Sequence, residues 1–428
     1  LSALIAPDED AGDALFGGTL NYMAPEHLLA FVHEMDEEDV DQRSDLYGLA
    51  LVLYELLTLK LPTVPRDADE SMQDHVRRLV ELRLDPPPPI RTEVPEASAA
   101  LDRTLNRCLD PDPACRYQSA VEFGKALRGC LQLKETEKSL PRKGGIIKCF
   151  KQWPVWSVVF LTLLPHLAGS VFNIAYNGWI VERFQLDKAT FNWLVVAYNL
   201  VVYPPCIFFV VKLIVLPALH LKRVIEGDES DPAFDIDAAR RRSLNWPLWA
   251  AILACFGWFP GMVFFPLGLS IFSPPGTWEV TINFWASILI SGLIALTYSV
   301  VGLQLITLRY YYPQLWDQVD DLQATARREL RRSRRFNYIS QILAGLIPLL
   351  GAGLCLIVLD KELKDDDFLL IEIIILSLIF TGFGGFQIAY NVGGSIRATI
   401  DALTGRDDDE HLSLLMRLGQ LFGRTVKR

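Results

Sequence analysis

Six stretches of this chain are apolar for long enough to cross a bilayer: 153–176, 190–219, 246–273, 283–308, 338–359 and 368–394. A hydrocarbon core of about 30 Å takes roughly 20 helical residues. No water meets the backbone there, so each stretch is expected as a helix that satisfies its own N–H and C=O groups. That limits the back of the chain to a polytopic helical bundle. Charge sets the expected topology. The inner segments hold Lys222, Arg223, Arg240, Arg241 and Arg242, then seven arginines between 309 and 335, then a basic tail. The outer loops hold only Arg183, Lys188, Lys361 and Lys364, beside Asp365, Asp366 and Asp367. Basic residues gather on the cytoplasmic side, which places both termini there.

The front of the chain has a different composition. Residues 1–140 carry 27 acidic against 14 basic side chains, a net of −13, whereas the remainder carries 24 against 27. A carboxylate excess argues against a nucleic-acid partner, which would need a basic stripe. The seven cysteines are scattered without a C-x-x-C pair, so neither a disulfide framework nor a zinc site is indicated, and a reducing cytosolic setting fits. With 51% hydrophobic and 21% charged residues, a disordered chain is excluded. No basic n-region precedes an apolar stretch and cleavage site, so no signal peptide is expected, and Leu1 in place of Met reads as a truncation point. The expected order is a soluble helical domain over 1–130, a basic juxtamembrane linker over 131–152 around Gly144-Gly145, the six-helix domain over 153–394 and a cytoplasmic tail over 395–428.

Within the first domain, apolar Leu49, Leu51, Val52, Leu53, Tyr54, Leu56 and Leu57 surround the whole circumference of a helix expected over 46–59. That pattern predicts a core helix, with Ser44 and Asp45 at its N-terminus. Further helices are expected over 97–109 and from 119 to 131, separated by the turn Asp110-Pro111-Asp112-Pro113.

Three strings carry the chemistry. They are Gly18-Thr19-Leu20-Asn21-Tyr22-Met23-Ala24-Pro25-Glu26, then Asp41-Gln42-Arg43-Ser44-Asp45-Leu46-Tyr47-Gly48, then Leu109-Asp110-Pro111-Asp112-Pro113-Ala114-Cys115-Arg116-Tyr117. Taken in this order, they resemble the later part of the large lobe of bacterial-type serine/threonine protein kinases, over about residues 1–130. The first string resembles the end of an activation segment with its A-P-E signature. The second resembles the buried helix that organises the lobe, and the third the late D-P-x-x-R-Y turn. The resemblance implies that Glu26, after Pro25, pairs with Arg116, and that Asp45 accepts backbone N–H bonds from the catalytic loop. It also implies that Thr19 helps recognise a Ser or Thr hydroxyl and that Thr19 and Tyr22 belong to the substrate-recognising segment. A desolvated carboxylate–guanidinium pair suits such a structural role, because its two parallel hydrogen bonds are costly to break on one side.

The strings G-x-G-x-x-G, V-A-I-K, H-R-D and D-F-G do not occur in these residues, so the ATP phosphate cover, the catalytic base and the magnesium ligands are not among them. No catalytic, cofactor-binding or metal-binding residue is therefore assigned. The expected fold is mainly α, a partial kinase-like large lobe followed by a polytopic α-helical membrane domain of about six spans. The resemblance implies the C-terminal portion of a membrane-bound kinase of the bacterial plasma membrane, which transfers the ATP γ-phosphate to protein Ser or Thr. ATP and Mg²⁺ would be held upstream of Leu1, so this portion alone is expected to be inactive. Its expected partners are a protein substrate and the lipid bilayer, with a dimer left open. Two alternatives stay open as well: a pseudokinase membrane scaffold, and a transport or channel module with a regulatory kinase lobe.

Several single features have plain readings. Asp8, Glu9, Asp10 and Asp13 stand in for phosphate charge or form a solvated acidic loop. His166 bonds to a neighbouring helix, Glu372 lies at an interface, Lys212 snorkels, and Pro204-Pro205 kinks the second span. The Arg327 to Arg335 run is expected to anchor at the inner leaflet, and Cys149 to remain an unmodified thiol. Trp153-Pro154-Val155-Trp156 returns 93 residues later as Trp246-Pro247-Leu248-Trp249, which suggests three two-helix repeats or the ordinary gathering of Trp at interfaces.

Overall fold

The computed structural model describes residues 20–32, 40–67, 69–95, 97–139, 144–226, 235–272, 278–316, 322–359 and 365–404, and among them all regular structure is helical. The chain forms two compact units, Leu1–Glu135 with Trp316–Leu322, and Thr136–Leu315 with Gln323–Arg428.

In the first unit, α1 (Pro25–Phe31) opens with proline at its first position, where the missing N–H has no helical partner to lose. Helix α2 spans Gln42–Thr58, starting before the expected 46; its cap is Asp41, whose carboxylate accepts from Arg43 N. Ser44 is thereby free for another role. Ser71 caps α3 (Met72–Leu84), and Ser98 caps α5 (Ala99–Cys108) after the short α4 (Ile90–Glu93). Helix α6 runs Ala120–Ser139. Tyr47, Leu51 and Tyr54 of α2 pack with Leu105, Leu109 and Phe123 into the main core, while Leu20 and Leu28 meet Val76 and Leu79 in a second cluster.

One expectation about α2 is corrected. Leu49, Val52 and Leu56 are 53%, 39% and 70% exposed, so the helix is covered on one side only. At 100° per residue, Asp45, Leu49, Val52 and Leu56 fall within one narrow arc. Tyr47, Leu51 and Tyr54 fill the opposite one.

The second unit begins with α7 (Gly144–Gln152) and α8 (Pro154–Arg183). A turn at 184–187 leads into α9 (Lys188–Val210), which continues through a π-helical turn at Val211–Val215 into α10 (Leu216–Glu226). Pro204 and Pro205 lie inside α9 without ending it, and the change of register comes at the π turn that follows. After α11 (Ile236–Ser243) the third apolar stretch is divided into α12 (Trp246–Trp258) and α13 (Gly261–Phe272). Then come α14 (Trp278–Ile306), a π turn at Thr307–Tyr311, α15 (Tyr312–Gln314), α16 (Leu322–Leu359) and α17 (Asp365–Thr404).

Among the described residues, four segments are long and apolar enough to span a membrane: Pro154–Arg183, Lys188–Glu226, Trp246–Ile271 and Trp278–Gln314. The fifth and sixth expected spans fall in α16 and α17, where the side chains of 354–381, Glu372 included, lie outside the described residues. Helix α14 is the axis of the bundle, buried over most of its length, while the 188–226 segment is largely exposed. The packing of α8 on α14 depends on small residues: a Cβ at Gly169 would stand 2.8 Å from Ser291 O, and one at Gly302 3.0 Å from Leu161. Ser299 donates to Thr162 O at 3.0 Å, and Ser287 to Asn177 Oδ1 at 2.8 Å.

The two Trp-Pro-x-Trp strings both start helices with proline in the first turn, but Trp153 is 54% exposed and Trp246 only 2%. His166 accepts a hydrogen bond from Trp258 Nε1 of α12 at 3.2 Å. In the arginine run, Arg334 pairs with Asp401 at 3.1 Å and Arg327 Nε donates to Thr404 O, so these two hold α16 to α17.

Candidate functional site

The first unit is organised around one buried guanidinium. Arg116, from the turn after α5, is fully buried, and every one of its five N–H donors has an acceptor. Nη1 and Nη2 donate to the two oxygens of Glu26 at 2.7 and 2.9 Å. Nε reaches Asp110 O at 2.6 Å, Nη2 also Pro111 O at 3.0 Å, and Nη1 also Arg43 O at 3.4 Å. Ser44 Oγ donates to Glu26 Oε1 at 2.6 Å. The Tyr47 ring lies under the guanidinium at 4.7 Å. Burial alone would raise the Glu26 carboxyl, but the hydrogen bonds from Arg116 and Ser44 outweigh it and hold the group below its ordinary range. The network ties α1, the start of α2 and the turn at 110–116 together.

A second buried arginine has no signature in the three strings. Arg83, in the last turn of α3, donates from Nε to Met23 O at 3.0 Å, from Nη1 to Pro62 O at 3.2 Å and from Nη2 to Asn21 O. It thus holds the backbone just before α1. Burial lowers its pKa, with Tyr47 as the opposing influence. Its signal in the sequence is one of register: Met72, Val76, Leu79 and Arg83 follow each other at helical spacing, so a basic residue occupies the last position of an apolar face.

The residues singled out from the sequence fall as follows. Glu26 and Arg116 are brought together, with Pro25 buried at the start of α1. Tyr22 is half-buried, and its hydroxyl donates to Glu55 Oε2 at 2.7 Å; that hydrogen bond, then burial, raises its pKa. Thr63 Oγ1 donates to Asn21 Oδ1 at 2.6 Å, fixing the same segment from the other side. Asp45 is exposed at the head of the uncovered row on α2. Thr19 lies outside the described residues.

These groups position a segment rather than perform chemistry. Both oxygens of Glu26 are occupied by Arg116, and Oε1 by Ser44 as well, so they are not available to a cation. Among the described residues no three His, Cys, Asp or Glu side chains come together as a metal site. The donor set here does not fit magnesium-bound ATP, and no step is assigned to it.

The chain is 38% identical over 125 residues to the serine/threonine-protein kinase Pkn1 of Myxococcus xanthus, a match covering 29% of this chain and 16% of that protein. It is 33% identical over 150 residues to the kinase pkn3 of the same organism, covering 33% and 25%, and 35% identical over 106 residues to the kinase PknB of Mycolicibacterium smegmatis, covering 25% and 15%. The chain therefore spans a quarter or less of these curated relatives. No family model and no solved structure matches it.

Proposed function

The chain carries a region related to bacterial serine/threonine protein kinases, and from that premise we propose that it is the later part of the large lobe of a membrane-bound kinase, joined to its membrane domain. The lobe serves transfer of the ATP γ-phosphate to Ser or Thr of a protein substrate, and residues outside this stretch hold ATP and Mg²⁺. The kinase-related unit and both termini face the cytoplasm in this reading, which the basic residues of the inner segments support.

The uncovered face of α2 carries the reading. Leu49, Val52 and Leu56 form an exposed apolar row on a helix whose opposite side is fully packed, and Asp45 stands at its head. An apolar row of that kind needs a partner. A catalytic-loop segment laid along it buries the leucines and offers backbone N–H groups to the Asp45 carboxylate. The Glu26–Arg116 pair and the Arg83 clamp hold the 21–26 backbone next to that face for a substrate chain.

The test uses the protein as its gene encodes it, in native membranes with radiolabelled ATP and Mg²⁺. Wild type is expected to incorporate phosphate on Ser or Thr. Leu56→Glu places an unpaired charge under the docked segment and is expected to slow incorporation at least about tenfold. In the 428-residue chain alone, where Leu56 is 70% exposed, amide exchange of α1 and α2 is expected to stay at the wild-type level. Absence of incorporation by wild type overturns catalysis in favour of a partner-binding scaffold. A Leu56→Glu protein as active as wild type overturns the role given to the α2 face.

A further inference from the structure

The second unit contains a cavity of about 230 Å³ among α8, α9, α12, α13 and α14, in the half of the bundle nearer the 184–187 turn. Ser170, Asn173 and Asn177 of α8 line one wall. Phe191, Tyr198, Trp258 and Phe265 line another, with the Tyr198 and Phe265 rings 5.3 Å apart. Ile174 and Asn199 are both lining residues and exposed, so the cavity opens on the outer surface of the spans between α8 and α9.

Three properties define an occupant. Among the described residues none that lines the cavity carries a formal charge, so an ionic headgroup finds no counter-ion there. Asn177 Oδ1 accepts from Ser287, and Tyr198 OH donates to Gly257 O at 3.1 Å, but the buried Nδ2 of Asn173 has no partner among the described residues. A buried amide donor in apolar surroundings is costly until it meets an acceptor. The third property is size. A space of 230 Å³ exceeds the ~150 Å³ that accepts a benzene ring and falls short of the roughly 300–1,000 Å³ that encloses a drug-sized molecule. It suits a polar end whose hydrocarbon tail stays in the bilayer.

We propose that this cavity binds the carbonyl-bearing end of an uncharged bilayer lipid, with Asn173 Nδ2 donating to the carbonyl oxygen and the tail leaving past Ile174. The aromatic wall stacks on a flat carbonyl group, whether a quinone ring or a glyceride ester. The site belongs to the membrane unit and stands independently of the phosphoryl-transfer reading.

The test is thermal stability of the full 428-residue chain in maltoside micelles, read as the monodisperse fraction surviving heat. The probes are decylubiquinone, dioctanoylglycerol and, as the ionic comparison, dioctanoylphosphatidylglycerol. A saturable rise of at least about 3 °C is expected with a neutral probe. A rise with decylubiquinone alone assigns a quinone, with dioctanoylglycerol alone a glyceride, and with both the shared carbonyl. In each case Asn173→Leu removes the rise, and so does Ile174→Trp, which blocks the opening from an exposed position. Asn173→Leu removes a buried donor that is unpaired among the described residues rather than creating one, so folding is retained. No rise with either neutral probe, an equal rise with the anionic lipid, or an undiminished rise in both variants overturns the proposal.

Discussion

Replacing Arg116 by Met removes the centre of the first unit's polar network while keeping most of the side chain's bulk. Five hydrogen bonds are lost, two of them to Glu26. The Glu26 side chain, in a residue only 5% exposed, is left with Ser44 as its side-chain partner, and the Asp110 and Pro111 carbonyls lose their donor. Breaking one side of a buried pair costs about 3–5 kcal/mol. At about 1.4 kcal/mol per decade that is a roughly 100- to 4,000-fold shift toward the open state, a large share of the ~5–15 kcal/mol that holds a domain together. Residues 1–152 contain no tryptophan, so intrinsic emission reports poorly on this network. Amide hydrogen exchange does report on it. The Leu28 amide bonds to Ala24 O at 2.9 Å and the Ser44 amide to Asp41 O at 3.0 Å, and both are expected to lose protection by the factor above. A fall below about fivefold at both amides would refute the network as the element that holds α1 to α2. The double variant Glu26→Gln, Arg116→Met leaves no charge in this network and is expected to regain part of the loss, since the Asp110, Pro111 and Arg43 carbonyls stay without their Arg116 donor. The same pair sets an acid limit. Because the Glu26 carboxyl lies below its ordinary range in the folded unit, its contribution is complete above the unfolded value of about 4.3 and is lost as pH falls through the folded value. Protection of Leu28 in wild type is thus expected to decline below about pH 4, and that decline is absent in the double variant.

Native thiol labelling read by peptide mass spectrometry is expected to modify exposed Cys149 and, more slowly, Cys115, whose thiol is raised first by the Asp110 carboxylate. Cys108 is expected to stay silent at pH 8, since burial pushes its thiol up to about 12 and its Sγ donates to Leu46 O at 3.3 Å. Gly169→Ala brings a Cβ to 2.8 Å from the Ser291 carbonyl, so it is expected to force α8 from α14 and cost about 1–3 kcal/mol in the unfolding midpoint followed by tryptophan emission. Leu59 ends α2 at φ 58°, the left-handed region that favours glycine. Leu59→Gly is expected to raise protection in the last turn of α2 by about 0.5–1 kcal/mol, and unchanged exchange there would contradict strain at this cap.

Much of the first unit's site was legible because a motif names its own partners. Glu26 after Pro25 and Arg116 after an Asp-Pro turn stand 90 residues apart, yet the resemblance of their strings to kinase motifs implies one ion pair, and the two side chains meet. Arg83 was not legible as a clamp, because its acceptors are backbone carbonyls, which no side-chain pattern announces. The cap of α2 was misassigned for a related reason: Ser44 and Asp41 are both good capping residues, and the demand of Glu26 for a second donor decides which of them caps.

The apolar runs by themselves determined helices in a bilayer, since length and hydropathy are properties of a segment and the hydrocarbon core leaves its backbone no other partner. The acid–base asymmetry likewise marks an acidic front of −13 over residues 1–140 off from a slightly basic remainder. Tertiary structure alone decided which face of each helix is covered. Leu49 and Leu51 are the same residue type two positions apart on α2, one exposed and one buried, and Trp153 and Trp246 open the same string in opposite surroundings. Burial depends on what other elements bring to a face, and that is a property of the packed whole rather than of the local chain.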